Sequence, residues 1–149
     1  MKIRILSWEE IYPIWHQRLW PGRQSAIEPT SAIKYLGGHD MDNMTFAPVL
    51  YGLEEDDEII GVNSVVECSD HSYRSRGLWL APDYRGRGLA KILLEYGIGI
   101  AKENKTDFIW SMPRHSAIGA YQSAGFEQTS EWFDKDVEFG PNCFVRKDI

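Results

Sequence analysis

Charged and apolar residues alternate at the start of the chain, and this pattern predicts a half-buried strand over residues 2–6. Ser7 and Glu10 follow with the spacing of a capping box, which predicts that a helix begins there. The inner face of this helix is expected to carry Ile11, Ile14, Trp15 and Leu19. Pro13 has no backbone N–H to donate, so we expect a bend at that position.

Downstream, helical and strand periodicities follow one another in short segments. They predict, in order, a short helix at about 31–36 that stops at the glycines 37–38, strands at 46–53, 58–68 and 72–81, a helix at 88–103, a strand at 107–112, a helix at 116–124, and strands at 126–133 and 143–146. The pattern alone therefore predicts a protein of the α/β or α+β class.

Length and charge narrow the classes of protein. With 149 residues, of which 43% are hydrophobic, the chain is expected to form a single domain over residues 1–149. A formal net charge of −6 argues against a dedicated binder of nucleic acid or anionic membranes. The first residues lack the apolar segment of a signal peptide, and no run of about 18 apolar residues occurs. We therefore expect a cytoplasmic protein with no nucleic-acid or membrane partner.

The cysteine and histidine residues do not have the spacing of metal ligands. Cys68 and Cys143 are far apart in the sequence and are expected to be reduced. The histidines form no His-x-x-x-His pair; they are His16, His39, His71 and His115. We therefore predict no metal site.

Residues 78–91, LWLAPDYRGRGLAK, combine the end of a strand, an Arg/Gly turn and the start of a helix. Gly86 and Gly88 allow a tight turn, and the free N–H groups of the first helical turn lie beside two arginines, an arrangement that suits a pyrophosphate. The turn lacks the Gly-Lys-Ser/Thr ending of a P-loop. Lys91 stands where a dinucleotide-binding fingerprint has its third glycine.

The signature Arg85-x-x-Gly88-x-Ala90 resembles that of the GNAT superfamily of acyl-CoA N-acyltransferases. The preceding residues 80–86, LAPDYRG, reproduce the family's apolar-x-Pro-x-Tyr-Arg-Gly pattern, and the expected downstream residues are also present, namely Ala117, Tyr121, Gly125 and Phe126. The resemblance covers about residues 59–133. One departure is Arg114, which stands where relatives often have an asparagine.

The resemblance implies the GNAT fold, with the order β-α-α-β-β-β-α-β-α-β-β and a central mixed sheet that splays apart at the strand before the Arg/Gly turn. The resemblance also implies that acetyl-CoA is the co-substrate. The pantetheine arm of acetyl-CoA would contact backbone groups of Leu78 and Leu80. Its pyrophosphate would be bound at the turn by Arg85, Gly86, Arg87, Gly88, Ala90 and Lys91.

By the same resemblance, Tyr121 occupies the position of the acid that protonates the departing thiolate, a role that its pKa near that of a thiol suits. Many relatives place a base, a glutamate, on the strand before the turn, but that strand has no carboxylate here. Glu67 is our candidate base; Asp70, His71 and an ordered water chain are the alternatives.

Arginines stand on that strand instead. Arg74, Arg76 and Arg114 are expected to cluster near the strand ends, where they either form salt bridges or hold an acidic group of the acceptor. Trp20 lies in the loop that borders the acceptor site in this family, and it could equally cover the core. A basic pocket would disfavour a polycationic acceptor.

We therefore expect an N-acetyltransferase that moves an acetyl group from acetyl-CoA to a primary amine, on a small molecule or a protein, by direct attack in a ternary complex. A catalytically inactive CoA-binding module with a regulatory or interaction role is the alternative, and a homodimer stays open because relatives often dimerise. A third hypothesis, RNA binding through the Arg/Gly turn, conflicts with the acidic composition.

Overall fold

The computed structural model describes residues 1–29, 34–35, 39–40, 47–68, 70–135 and 137–149. The strands are β1 (Lys2–Ile5), β2 (Lys34–Tyr35), β3 (His39–Asp40), β4 (Val49–Glu55), β5 (Glu58–Glu67), β6 (Ser72–Leu80), β7 (Phe108–Ser111), β8 (Glu127–Gln128) and β9 (Val145–Asp148). The α-helices are α1 (Trp8–Ile14), α2 (Leu89–Glu103) and α3 (His115–Ser123), with a π-helical segment at Trp15–Leu19 and a 3₁₀ turn at Pro82–Tyr84. None of the helices in these ranges is long and apolar enough to cross a membrane.

Seven strands form one mixed sheet in the order β1-β4-β5-β6-β7-β9-β8. All neighbouring pairs are antiparallel except β6 and β7, which are parallel. A parallel pair needs a long crossover, and α2 supplies it between these two strands. The expected mixed-sheet α/β fold is therefore confirmed.

The helices cover the two faces of the sheet. Because successive residues of a strand point to opposite faces of the sheet, Val62 and Val65 of β5 pack against different helices. Val62 packs with Ile11 and Trp15 of the first helical segment, whereas Val65 packs with Leu93 of α2. We call these the α1 face and the α2 face of the sheet.

The first helix starts as the sequence predicts. The Glu10 N–H donates to Ser7 Oγ at 3.2 Å, and the Ser7 N–H donates to Glu10 Oε1 at 3.0 Å. Pro13 lies inside α1, and the hydrogen-bond pattern widens two residues later, where the Trp20 N–H donates to the Trp15 carbonyl at 2.8 Å. The missing donor and the bulk of the proline ring disturb the α-helical pattern there.

Two parts of the sequence prediction differ from the structure. Of the helix predicted at 31–36, residues 34–35 belong to the short strand pair β2–β3, and the other positions lie outside the described residues. The strand predicted at 126–133 is only β8, because after Gln128 the pairing becomes irregular: Ser130 Oγ, rather than a backbone carbonyl, accepts from the Phe144 N–H at 2.8 Å. For the same reason β9 begins at Val145.

The sheet opens between β6 and β7. Their parallel pairing runs from Ser72↔Phe108 to Arg74↔Trp110 and ends there, although β6 continues to Leu80. In the same part of β6, the pairs Ser64↔Arg76 and Val62↔Trp79 enclose one extra residue on β6, which is a β-bulge. Gly77 lies in the bulge with φ +82°, and a Cβ there would overlap the Trp15 indole. Divergence and bulge together leave the second half of β6 without a strand on its β7 side.

Candidate active site

A cavity of about 580 Å³ lies where β6 and β7 diverge. Its walls are residues 74–78 of β6, the end of β7, the start of α3, the loop that follows the π-helical segment, and residues 137–139. This volume is in the range of small-molecule sites. Because the gap passes through the sheet, the cavity is lined by side chains from both faces.

Tyr121 of α3 is buried at the α2 face of this gap, with its side-chain oxygen between two serines. Tyr121 Oη lies 3.0 Å from Ser75 Oγ of β6 and 2.9 Å from Ser111 Oγ of β7. Ser111 Oγ also donates to the Ser75 carbonyl at 2.7 Å. The three hydroxyl groups therefore bridge the two strands at the point where their backbone pairing stops.

The Ser111 hydroxyl has two acceptors within hydrogen-bond distance, the Ser75 carbonyl and Tyr121 Oη, and its single proton goes to one of them at a time. Either oxygen can donate in the contact between Ser75 Oγ and Tyr121 Oη, since Ser75 Oγ also donates to Asn63 Oδ1 at 3.3 Å. The Tyr121 oxygen therefore lies between two serine hydroxyl groups.

The network continues into the core. Asn63 Nδ2 donates to Ser75 Oγ at 2.9 Å and to Tyr51 Oη at 3.0 Å, and Tyr51 Oη donates to the Leu93 carbonyl at 2.6 Å. All of these groups are buried. A buried network in which the polar groups are hydrogen-bonded holds its side chains in one geometry. This network therefore fixes Ser75 from the side of the core.

The pKa of Tyr121 is raised, mainly because burial disfavours the phenolate. The hydrogen bonds from Ser111 and Ser75 and the positive charge of Arg74 act in the opposite direction. The phenol is therefore protonated at neutral pH, and its conjugate base has donors and a cation nearby.

The Arg/Gly turn after β6 is exposed, and it ends directly at α2. Gly86 and Gly88 have φ +75°, and no atom lies within 4 Å of a Cβ built on either. Gly88 is the N-cap of α2 and gives no side-chain cap, so the N–H groups of the first turn face open space. An exposed helix start with free N–H groups suits an anion such as a phosphate.

The other residues predicted to bind the cofactor do not lie in one place: some are at the cavity and some are on the surface. Leu78 lines the cavity, whereas the Leu80 carbonyl accepts from Arg85 Nε at 2.9 Å. The Arg87 guanidinium lies over the Tyr84 ring, and Lys91 pairs with Glu95 on the surface of α2. Ala90 is half-buried in the first turn of that helix.

Glu67 lies away from the cavity. It ends β5 and pairs with Tyr73 at the hairpin end of β6, whereas the cavity starts at Arg74 and extends toward the other end of that strand. Asp70 and His71 are in the same hairpin and do not line the cavity either. The base role of Glu67 stays a prediction that the geometry does not support.

The predicted substrate-binding residues all line the cavity: Arg74, Arg76, Arg114 and Trp20. Sequence reasoning missed Ser75 and Ser111, which contact Tyr121, and Asn63, which contacts Ser75. All three are polar residues within strands, and no motif marks them.

Comparison with known proteins assigns the chain to a family. The model of the Acetyltransferase (GNAT) family matches residues 7–126. The chain therefore belongs to the GNAT acetyltransferase family. No curated protein matches the sequence significantly.

Solved structures with the same fold include three acetyltransferases. An IAA acetyltransferase from Bacillus cereus is 17% identical, with 68% of this chain and 78% of that chain covered and a TM-score of 0.59. A ribosomal-protein-alanine N-acetyltransferase from Brucella melitensis is 21% identical, with 68% and 69% covered and a TM-score of 0.58. A GNAT acetyltransferase from Elizabethkingia anophelis with acetyl-CoA bound is 19% identical, with 68% and 76% covered and a TM-score of 0.57. At these identities the likeness establishes the fold.

Proposed function

We propose that the protein transfers an acetyl group from acetyl-CoA to a primary amine by direct attack within a ternary complex. The observation that carries this proposal is Tyr121, a buried phenol held between two serine hydroxyl groups where the sheet opens. The uncapped start of α2 supports the donor half of the proposal, because it suits the pyrophosphate of coenzyme A.

Acetyl-CoA supplies a thioester, which an amine converts to an amide as the C–S bond breaks. In the proposed mechanism Tyr121 gives its proton to the departing sulfur, and its phenolate accepts from the Ser75 hydroxyl. The ammonium form of the acceptor releases its extra proton to water, since β6 has no carboxylate. The attacking nitrogen loses a second proton as the amide forms, and this proton restores the Tyr121 phenol. The overall products are one amide, one thiol and one proton.

Binding of the donor is tested by a charge at the turn. Gly88→Glu should abolish binding of acetyl-CoA in calorimetry, because the new carboxylate enters the proposed phosphate site. Gly88→Asn keeps the left-handed turn without a charge and should bind more strongly than Gly88→Glu. Gly99→Glu adds the same charge about 17 Å further along α2 and should bind normally. Normal affinity in Gly88→Glu would refute this assignment of the phosphate site.

Catalysis is tested by removing the phenol proton. Tyr121→Phe should bind acetyl-CoA normally and lose turnover by about 10²-fold or more in an assay of thiol release with an amine panel. Tyr96→Phe is the matched control, because Tyr96 is a helical tyrosine of the same core that does not line the cavity. If the parent protein binds acetyl-CoA and acetylates no amine in the panel, the inactive CoA-binding module is the better description.

A further inference from the structure

Buried arginines form the α1 face of the cavity. Arg74 and Arg76 are two residues apart on β6 and therefore point to the same face, with exposures of 4% and 6%. The Arg76 guanidinium lies over the rings of Trp15 and Trp20, at 5.1 and 5.0 Å from their centroids. Arg23 lies over Trp20 as well, at 4.7 Å. We call Arg23, Arg74, Arg76 and Arg114 the arginine cluster.

Arg76 and Arg114 are bound by backbone carbonyls rather than by carboxylates among the described residues. Arg76 donates to the Glu28 carbonyl at 2.9 Å, and Arg114 donates to the Leu19 carbonyl at 3.2 Å. Within the described part of the chain, neither has a carboxylate at ion-pair distance. Glu138 also lines the cavity, but it is exposed and accepts from the backbone N–H groups of Gln24 and Ser25.

The electrostatics show that the guanidinium groups act on one another. Burial lowers the pKa of Arg76 to about 9, and the charges of Arg74 and Arg23 contribute in the same direction. Even at that value Arg76 is charged at neutral pH. An anion in the cavity would relieve both the repulsion and the burial penalty, whereas a cation would add to them.

We infer that the arginine cluster binds the carboxylate of the acceptor, and that the acceptor is a small amine that carries a carboxylate, of the amino-acid class. This inference rests on the proposed function. Arginine suits the role because its planar fork matches a carboxylate with two parallel hydrogen bonds. The volume of about 580 Å³ accommodates a small molecule of this kind.

The position of the cluster distinguishes it from the donor site. Ser75 contacts Tyr121 on the α2 face, and its neighbours Arg74 and Arg76 point to the other face, toward Trp110, Trp15 and Trp20. The Arg/Gly turn follows the far end of β6 and leads into α2, which packs on the α2 face. An acceptor whose carboxylate lies among the arginines therefore reaches the gap from the side opposite α2.

The first experiment compares acceptors that differ only in this group. Each standard amino acid is assayed beside its carboxamide, with spermidine and a lysine-rich peptide in the same panel, at saturating acetyl-CoA. We expect one or more amino acids to exceed their carboxamides in kcat/KM by about 10- to 100-fold, the range for loss of a hydrogen-bonded charge pair. Spermidine or the peptide as the best acceptor would overturn the inference and leave the proposed function intact.

Variants then test the cluster itself. Arg76→Met keeps most of the buried volume and should raise the KM of the best amino acid about 10- to 100-fold, with little change for its carboxamide or for acetyl-CoA. Arg76→Lys keeps the positive charge but lacks the planar guanidinium, so its KM for the amino acid should lie between those of the parent protein and Arg76→Met. Arg146→Gln removes an arginine that lies over Phe108 outside the cavity, and it should leave every constant unchanged. Equal effects on an amino acid and its carboxamide would mean that Arg76 is structural.

A binding measurement is independent of turnover. The N-acetyl amino acids and their carboxamides are titrated against the intrinsic tryptophan fluorescence, to which Trp15 and Trp20 beside the cluster contribute. We expect N-acetyl amino acids to bind and to raise the melting temperature, with both effects lost in Arg76→Met. If no amine is acetylated but these ligands bind, the proposed function fails and the carboxylate site stands. If none binds to the folded parent protein, the carboxylate site is refuted.

Discussion

Replacing Ser75 with alanine removes the hydroxyl that links Tyr121 to the core. The hydroxyl accepts from Asn63 Nδ2 at 2.9 Å, donates to Asn63 Oδ1 at 3.3 Å and contacts Tyr121 Oη at 3.0 Å, and these buried contacts are lost. At about 0.5–1.5 kcal/mol each, we expect the free energy of unfolding to fall by about 2 kcal/mol. For a chain of this length that corresponds to a decrease in melting temperature of about 4–8 °C.

The effect on turnover follows from a change in charge. A hydrogen bond to the neutral phenol contributes about 1 kcal/mol, whereas one to the phenolate formed in the proposed mechanism contributes about 1.5–3 kcal/mol. The difference, about 1 kcal/mol, acts in the transition state alone. We therefore expect kcat to fall about 5- to 10-fold, with the KM for acetyl-CoA unchanged.

The assay is thiol release under saturating substrates, at a temperature where circular dichroism shows every variant folded. Ser75→Thr keeps a hydroxyl and should restore most of kcat. Thr106→Val is the control. It removes the buried hydrogen bond from Thr106 to the Ala101 carbonyl, which lies near the end of β7 that is remote from the cavity. It should lower stability by about 1 kcal/mol and leave kcat unchanged. The reasoning fails if Ser75→Ala has the same kcat as the parent protein, or if Thr106→Val lowers kcat as much as Ser75→Ala does.

The remaining predictions concern stability. Gly77→Ala should lower the free energy of unfolding by about 3 kcal/mol in urea titrations, because it combines a strained positive φ with displacement of Trp15 and its 2.9 Å bond to the Gly77 carbonyl. Gly22→Ala, at φ +74° in open space, should show the strain alone, and equal losses would contradict the packing argument. The hydrogen bond from Arg4, followed by that from Ser7, lowers the pKa of Glu10 from 4.5 to about 2. A depressed acid pKa stabilises the fold above the unfolded value, so Glu10→Gln should be less stable than the parent at pH 7 and converge with it between about pH 5 and 2. A difference in stability between Glu10→Gln and the parent protein that does not change with pH would contradict the link to the Glu10 pKa.

Local signals predicted the regular parts of the fold. The capping box at Ser7 and Glu10 and the long helix after the Arg/Gly turn each depend on neighbours in the sequence, and both are present. The segment 126–133 failed because its partners are distant: Phe133 pairs with Asn142 through a single bridge, which no periodicity indicates. The GNAT fold itself came from motif resemblance, since periodicity gave only the class.

The catalytic part of the candidate site can be predicted only where a sequence motif marks it. Tyr121 and the turn from Arg85 to Lys91 have a motif with fixed spacing, which resemblance can detect. The Ser75–Tyr121 contact joins residues 46 positions apart and has no such motif. Glu67 is a carboxylate on the strand next to β6, but its pairing with Tyr73 places it at the hairpin end. Residue type alone could not show that.

The Glu138 carboxylate joins two irregular segments above the cavity, since it accepts from backbone N–H groups of the loop that follows the π-helical segment. The α1 face of the cavity is therefore walled partly by loops, and the α2 face by α3 and the strands. Loops tolerate substitution and changes of length better than packed elements do. The loop wall can therefore change in sequence and length while the arrangement around Tyr121 stays the same, so the shape of the cavity can vary without a change of fold.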